Sequence, residues 1–222
     1  FFRGTRKYPL KHSKLSHEIK VIAPEYIDLY SPKKHFKTLE FMKLLESQTR
    51  LADSSKSIVR ICFRNTTGIT AAAGILLLAN IETFVSRYPN VLFRITRPPN
   101  TPSSITKKAD NVIHAVLQRI GVYSALRVGE FKTKYFPHVD RWYIGSSTEV
   151  HGKSLGNAIK QTAELGVVQN KLYRSCIEAV SNAVEHAYSD KVPTNFKFPL
   201  KKWWIFVGEM DNRLVILVCD KG

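Results

Sequence analysis

Strand-like and helix-like segments alternate along the first half of the chain, and this alternation restricts the fold more than any other feature of the sequence. The strand-like runs, rich in β-branched and apolar residues, are residues 19–22, 57–63 and 91–96. The segments with helical spacing of apolar residues are residues 32–45, 71–87 and 110–126. Strand followed by helix, three times over, predicts a small layered α/β unit.

The second half of the chain predicts a different arrangement of elements. Residues 141–144 read as a strand, residues 155–165 and 170–188 as helices, and residues 189–202 as a loop. Two apolar runs, residues 203–208 and 214–219, flank a polar turn and predict a hairpin. We therefore expect an α/β (α+β) protein with a basic lead-in at residues 1–17, a first unit at residues 18–127 and a second unit at residues 128–222.

The charge of the chain is its most unusual bulk property. Thirty-four Lys and Arg residues against eighteen Asp and Glu give a net charge of +16. Such a charge attracts nucleic acid, acidic proteins or nucleotide phosphates. The basic residues are spread along the chain rather than gathered in one arm, which favours a generally basic surface over a dedicated nucleic-acid site, although both interpretations stay open.

The apolar and cysteine content predicts a cytoplasmic protein that does not enter a membrane. The longest apolar run, residues 71–79, is far shorter than the roughly 20 residues that a membrane span needs. No cleavable signal sequence is visible at the beginning of the sequence. The three cysteines, Cys62, Cys176 and Cys219, are scattered among apolar neighbours, which is typical of reduced, packed thiols.

The segment from residue 172 to residue 188 carries the clearest chemical pattern. Glu178, Asn182 and His186 are spaced by four residues, so they share one face of a helix, while Ile177, Val180 and Val184 supply apolar contacts. Asparagine has no advantage inside a helix, but its amide oxygen is a hard ligand suited to Mg²⁺. A carboxylate one turn earlier can deprotonate a water or hydroxyl near a phosphate. A plain solvated polar face is the alternative.

A second pattern follows the last strand. The apolar run of residues 214–219 delivers Asp220 at its end, followed by Lys221 and Gly222. A carboxylate at a strand end can accept a hydrogen bond from an exocyclic amine. A glycine there permits close approach of the backbone to a ligand.

Taken together, the segment Glu178–Ala–Val–Ser–Asn182–Ala–Val–Glu–His186 and the triplet Asp220–Lys221–Gly222 resemble the N box and first glycine box of the GHKL ATPases. The residue pattern is most similar to that of the anti-sigma-factor serine kinases. The resemblance implies a Bergerat-fold α/β sandwich that binds ATP and Mg²⁺. In it Asn182 coordinates Mg²⁺, Glu178 acts as the catalytic base, Asp220 binds the adenine amino group, and His186 and Gly222 belong to the nucleotide-binding motifs. ATPase and protein serine kinase are the implied activities.

The same resemblance implies parts that lie beyond Gly222, namely a second glycine box and the closing strands. We therefore expect residues 128–222 to be the N-terminal half of such a domain, which by itself would bind ATP poorly. Residues 18–127 resemble a STAS domain, and the stretch matching its phosphorylated turn, residues 71–75, holds alanines where the family has serine. We expect no phosphate acceptor in that turn.

Three other functions compete with this prediction. Residues 147–154 are one residue away from a P-loop, but Ser147 replaces the first glycine of that motif. A basic module that binds nucleic acid or a protein partner, with the ATPase unit as a degenerate scaffold, is the second. An effector or toxin of a bacterial conflict system is the third. The leading prediction remains a regulator whose nucleotide site controls contact with the STAS-like unit or with a partner protein.

Overall fold

The fold is mixed α/β, as the sequence predicts, and contains both parallel and antiparallel sheets. The computed structural model describes residues 17–98, 112–150, 155–158, 160, 169–185, 202–210 and 213–221. Within these residues lie a three-stranded parallel sheet, a two-stranded parallel ladder and a three-stranded antiparallel sheet.

The parallel sheet forms from strands that are far apart in sequence. Its strands are β1 (Glu18–Ile22), β3 (Ile58–Cys62) and β5 (Leu92–Thr96), with β3 in the centre. The sequence predicted all three within one or two residues. The ladder between β2 (Tyr26–Ile27) and β4 (Gly68–Ile69) was not predicted, because two-residue strands leave no periodic signal.

Helix α1 (Pro32–Ser55) begins with a proline in its first turn, where the missing N–H costs nothing. It ends at Lys56, whose φ of 52° is left-handed. The helix is about three turns longer than the segment predicted from its apolar spacing. Its buried face follows the helical period and packs against β1, β2 and β3. The buried residues are Thr38, Phe41, Met42, Leu45, Thr49 and Ala52.

Helix α2 (Ala71–Arg87) lies in the middle of the molecule. Its bounds are those predicted, and it is buried on nearly every side, including Leu77 and Ala79 at 0% exposure. A helix that is apolar all round must be covered on several sides. Here α1, α4 and the antiparallel sheet contact it.

The helix predicted at residues 110–126 is wrong as a single element. Helix α3 (Val112–Arg119) ends before Gly121, and α4 (Val122–Ala125) follows it. Gly121 has a φ of 90°, a conformation that interrupts a right-handed helix and that glycine adopts at low cost. The apolar pattern runs across this glycine, so the sequence period alone conceals the break. The short helix α5 (Pro137–Asp140) was also not predicted.

The antiparallel sheet contains the predicted hairpin in its predicted place. Strands β6 (Tyr143–Ser147), β7 (Trp203–Met210) and β8 (Arg213–Cys219) pair with β7 in the centre. Residues 203–208 of β7 are all buried, because both faces of this strand are covered. Gly208 is required on β7, since an added Cβ would lie 2.7 Å from the Phe206 ring and 2.8 Å from the Trp142 ring.

Two hydrophobic cores lie on opposite sides of this sheet. The first joins Trp204 and Phe206 to α2, to α1 and to one side of the parallel sheet. The second joins Trp203, Ile205 and Val207 to helix α6 (Gln169–Glu185) and to the helical residues 155–158. Side chains on either side of the expected boundary at residue 128 share the first core, and the division into two units stays a prediction.

Candidate functional site

Helix α6 presents the predicted polar pair on its exposed face. Glu178 and Asn182 are both exposed and lie one turn apart. The opposite face holds the second core through Cys176, Val180 and Ala183. Apolar residues on one side therefore attach α6 to the sheet and leave the carboxylate and the amide accessible. The predicted contacts of Ile177, Val180 and Val184 with that core are confirmed.

Asp220 directly follows β8, and the alternation of side chains along this strand locates it. Leu214, Ile216 and Val218 face the core beneath α6, whereas Val215, Leu217 and Cys219 face the core around α2. β8 ends at Cys219; if the same period of two continued past it, position 220 would lie on the side of α6 and position 221 on the side of α2.

A hydrogen bond at Lys221 supports this alternation. Its Nζ donates to Oδ1 of Asn80 on α2 at 2.8 Å, as expected for a side chain on the α2 side of the sheet. Asn80 in turn donates from Nδ2 to the Leu76 carbonyl oxygen at 2.8 Å. The end of β8 is therefore attached to α2 through the residue next to Asp220.

A carboxylate on α2 makes a second polar connection to the same sheet. Glu82 Oε2 accepts hydrogen bonds from Lys202 Nζ at 2.6 Å and from the Trp204 indole N–H at 2.8 Å. We call the contacts of Asn80 and Glu82 with Lys202, Trp204 and Lys221 the α2 seam. The sequence contained a signal for it, because Asn80 and Glu82 interrupt an otherwise apolar helix, but it did not identify their partners.

The cysteine beside Asp220 has a pKa that its burial and the neighbouring charges shift. Burial, and after it the nearby Asp220 carboxylate, raise the pKa of the Cys219 thiol to about 11, against the opposing effect of Lys221. His186 and Gly222, the remaining predicted binding residues, lie outside the described residues.

The donor set on α6 fits Mg²⁺ held together with phosphate. Mg²⁺ usually binds one or two protein oxygens and completes its shell with waters and substrate phosphates. An exposed amide oxygen at Asn182 with a carboxylate one turn away provides oxygens of that kind. Within the described part of the chain, no group of three or more His, Cys, Asp or Glu side chains could hold a metal ion alone.

A cavity of about 280 Å³ lies on the other side of the sheet, between α2, the bend from α3 to α4, and β6. Its charged lining residues are already engaged. Glu82 belongs to the α2 seam, and Arg119 donates to the carbonyl oxygens of Asp140 at 2.6 Å and Trp142 at 2.8 Å. This cavity is therefore separate from the face of α6 that carries Glu178 and Asn182.

The segment that resembles a P-loop begins where β6 ends. β6 is an edge strand paired antiparallel to β7. In a βαβ unit, by contrast, the strands on either side of the helix run parallel. Residues 151–154 of this segment lie outside the described residues.

Comparison with known proteins identifies no relative: no family model, no curated protein and no solved structure matches the chain. Among the described residues, no helix combines the length and the apolar character that crossing a bilayer requires.

Proposed function

We propose that the chain binds ATP with Mg²⁺ between α6 and the end of β8, and that the nucleotide controls contact between the two units or with a partner protein. One observation carries the proposal. Glu178 and Asn182 lie one turn apart on the exposed face of α6, whose other face packs on the antiparallel sheet, and the alternation along β8 predicts Asp220 on the side of the sheet that α6 covers. Residues about 40 positions apart in sequence would thus supply a metal ligand, a base and an acceptor for an exocyclic amine.

Each residue has a role that its chemistry supports. The Asn182 amide oxygen would bind Mg²⁺, and Mg²⁺ would neutralise charge on the phosphates. Glu178 would accept a proton from the water or hydroxyl that attacks the terminal phosphate. Asp220 would accept a hydrogen bond from the adenine amino group. His186 and Gly222 complete the set by resemblance. These roles are compatible with slow hydrolysis, with serine phosphotransfer and with binding alone.

The α2 seam gives the nucleotide a route to the first unit. Lys221 follows Asp220 and donates to Asn80 of α2, while Glu82 of α2 holds Lys202 and Trp204. A displacement of the end of β8 on nucleotide binding would change contacts with α2, the most buried helix of the first unit. A nucleotide can regulate a protein when its binding shifts a contact of this kind between two arrangements.

Calorimetric titration of the full-length protein with ATP and Mg²⁺ tests this proposal. We expect micromolar affinity that falls about tenfold or more in Asn182→Ala and in Asp220→Asn, because each loses a contact to a charged group. Glu209→Gln is the matched control, since it removes a carboxylate from the opposite end of the same hairpin. No ATP binding in the intact protein, or equal losses in all three variants, would refute the site.

A basic interaction module is the second candidate. The net charge of +16 favours it. Salt-sensitive retention on nucleic acid by a protein that does not bind ATP would be its signature.

A further inference from the structure

Among the described residues, one side of the parallel sheet contributes no side chain to either hydrophobic core. Along each strand, alternate residues belong to the first core; they are Ile19, Val21, Val59, Ile61, Phe93 and Ile95. The residues between them face the other way. Of these, Ile22 is 57% exposed and Leu92 is 54% exposed, and Ile58 and Cys62 are buried yet belong to neither core. We call this surface the open sheet face.

An open face is unusual for this kind of sheet. Parallel sheets are found almost only where both faces are covered. Here the apolar side chains of Ile22 and Leu92 extend into solvent from the two edge strands, beside the buried Ile58 and Cys62 of the central strand. The open sheet face therefore has the properties of a surface that another layer covers.

A row of basic residues crosses this face. Lys20, Arg60 and Arg94 are in register on the three neighbouring strands, so the row spans about 10 Å. Glu18 forms a two-pronged bond to Arg60, at 2.6 and 2.9 Å, and lies 3.5 Å from Arg94. These contacts lower the pKa of Glu18, chiefly through the Arg60 hydrogen bond. Three bases against one acid leave the face positive.

The charges and the apolar residues together limit what can cover the face. A second copy of the chain would bring two basic rows together, and these would repel each other. The lead-in at residues 1–16 has five Lys and Arg residues and no acid, so it too would be repelled. Nucleic acid would find no ring for base stacking, since the nine residues that the three strands place on this side include no aromatic residue. A helix with an apolar stripe flanked by Asp or Glu matches both the basic row and its apolar flanks.

We propose that the open sheet face is a docking site for an acidic amphipathic helix of a partner protein. Carboxylates of the helix pair with Arg94 and Lys20, and its apolar stripe lies on Leu92 and Ile22. This surface does not depend on nucleotide binding, so it stands or falls independently of the ATP site.

The test uses a fluorescein-labelled synthetic helix of 21 residues with Leu at helical spacing and Glu on either side of that stripe. Binding to the full-length protein is followed by fluorescence anisotropy. We expect the double variant Lys20→Glu/Arg94→Glu to bind at least tenfold more weakly, and Leu92→Ser several-fold more weakly. The matched control is Lys43→Glu/Arg50→Glu on the exposed side of α1, which changes the net charge equally and should bind within twofold of the unchanged protein.

Further arms separate this proposal from its rivals. A benzophenone on the peptide should crosslink to the strands of the open sheet face, and the same peptide with Gln for Glu should bind poorly. Absence of peptide binding, or equal losses in the two double variants, would overturn the proposal. The proposal would also be overturned if single-stranded DNA of similar length bound more tightly than the peptide and lost affinity in the Lys20→Glu/Arg94→Glu variant. Circular dichroism melting confirms that every variant is folded.

Discussion

Replacing Glu82 by alanine tests whether the α2 seam holds the antiparallel sheet against α2. Glu82 Oε2 accepts from Lys202 Nζ at 2.6 Å and from the Trp204 indole N–H at 2.8 Å. Trp204 is fully buried, and in this variant its N–H loses its acceptor. Lys202 keeps 21% of its side chain exposed and reaches solvent.

The expected loss of stability follows from these two contacts. An unsatisfied buried donor costs about 1–3 kcal/mol, and a partly exposed ion pair contributes about 0–1 kcal/mol. Together these contributions span about 1–4 kcal/mol, and we expect Glu82→Ala to lower the free energy of unfolding by the middle of that range, about 2–3 kcal/mol, which for a chain of this size lowers the Tm by roughly 5–10 °C. Glu82→Gln, which keeps an acceptor for Trp204, should lose about half as much.

Urea unfolding followed by tryptophan fluorescence measures this difference. The matched control is Glu46→Ala, which removes a glutamate that pairs with Arg87 at 3.1 Å in an exposed position. That variant should lose no more than about 1 kcal/mol. If the free energies of unfolding of Glu82→Ala and Glu46→Ala differ by less than about 0.5 kcal/mol, the α2 seam does not stabilise the molecule.

Two further predictions concern packing and pH. Gly208→Ala should lower the free energy of unfolding by about 1–3 kcal/mol, because the added Cβ meets the buried Phe206 ring at 2.7 Å. Thermal denaturation measures this effect, with Gly156→Ala as the control because its added Cβ meets no atom within 4 Å. Equal Tm values for the two variants would refute the prediction. Burial, and secondarily the charge of Arg97, lower the pKa of His114 below its ordinary 6.5. As the pH drops, His114 is protonated at a higher pH in the unfolded chain than in the folded protein, so stability falls as the pH drops through about 6.5. In His114→Gln the urea midpoint should therefore change less between about pH 7.5 and pH 5.5 than it does in the unchanged protein. If the urea midpoint of His114→Gln changes with pH as much as that of the unchanged protein, His114 is not the source of this pH dependence.

Local signals explain why most elements of the fold were predictable. Helix α2 has both predicted bounds because Tyr88, Pro89 and Asn90 stop an apolar helical run. The hairpin of β7 and β8 was predictable because two apolar runs flank a polar turn. The break at Gly121 was hidden because the apolar period continues across it.

Contacts between distant parts of the chain explain what the sequence did not reveal. The spacing of Glu178 and Asn182 predicts a shared helix face, and both residues are exposed one turn apart on α6. The α2 seam joins residues more than 100 positions apart, and the row of Lys20, Arg60 and Arg94 comes from three separate strands. No local window of sequence brings such residues together.

The central claim is that Asp220 and α6 form an adenine-nucleotide site, and comparison of ATP with GTP tests it most directly. In the proposed site the Asp220 carboxylate would accept a hydrogen bond from the adenine amino group, whereas guanine presents a carbonyl oxygen at that position. Titration of the full-length protein with Mg²⁺ present should show ATP binding about 10- to 100-fold more tightly than GTP. Asp220→Asn should remove most of that preference. Absence of nucleotide binding, or a preference for ATP that Asp220→Asn leaves unchanged, would contradict the account.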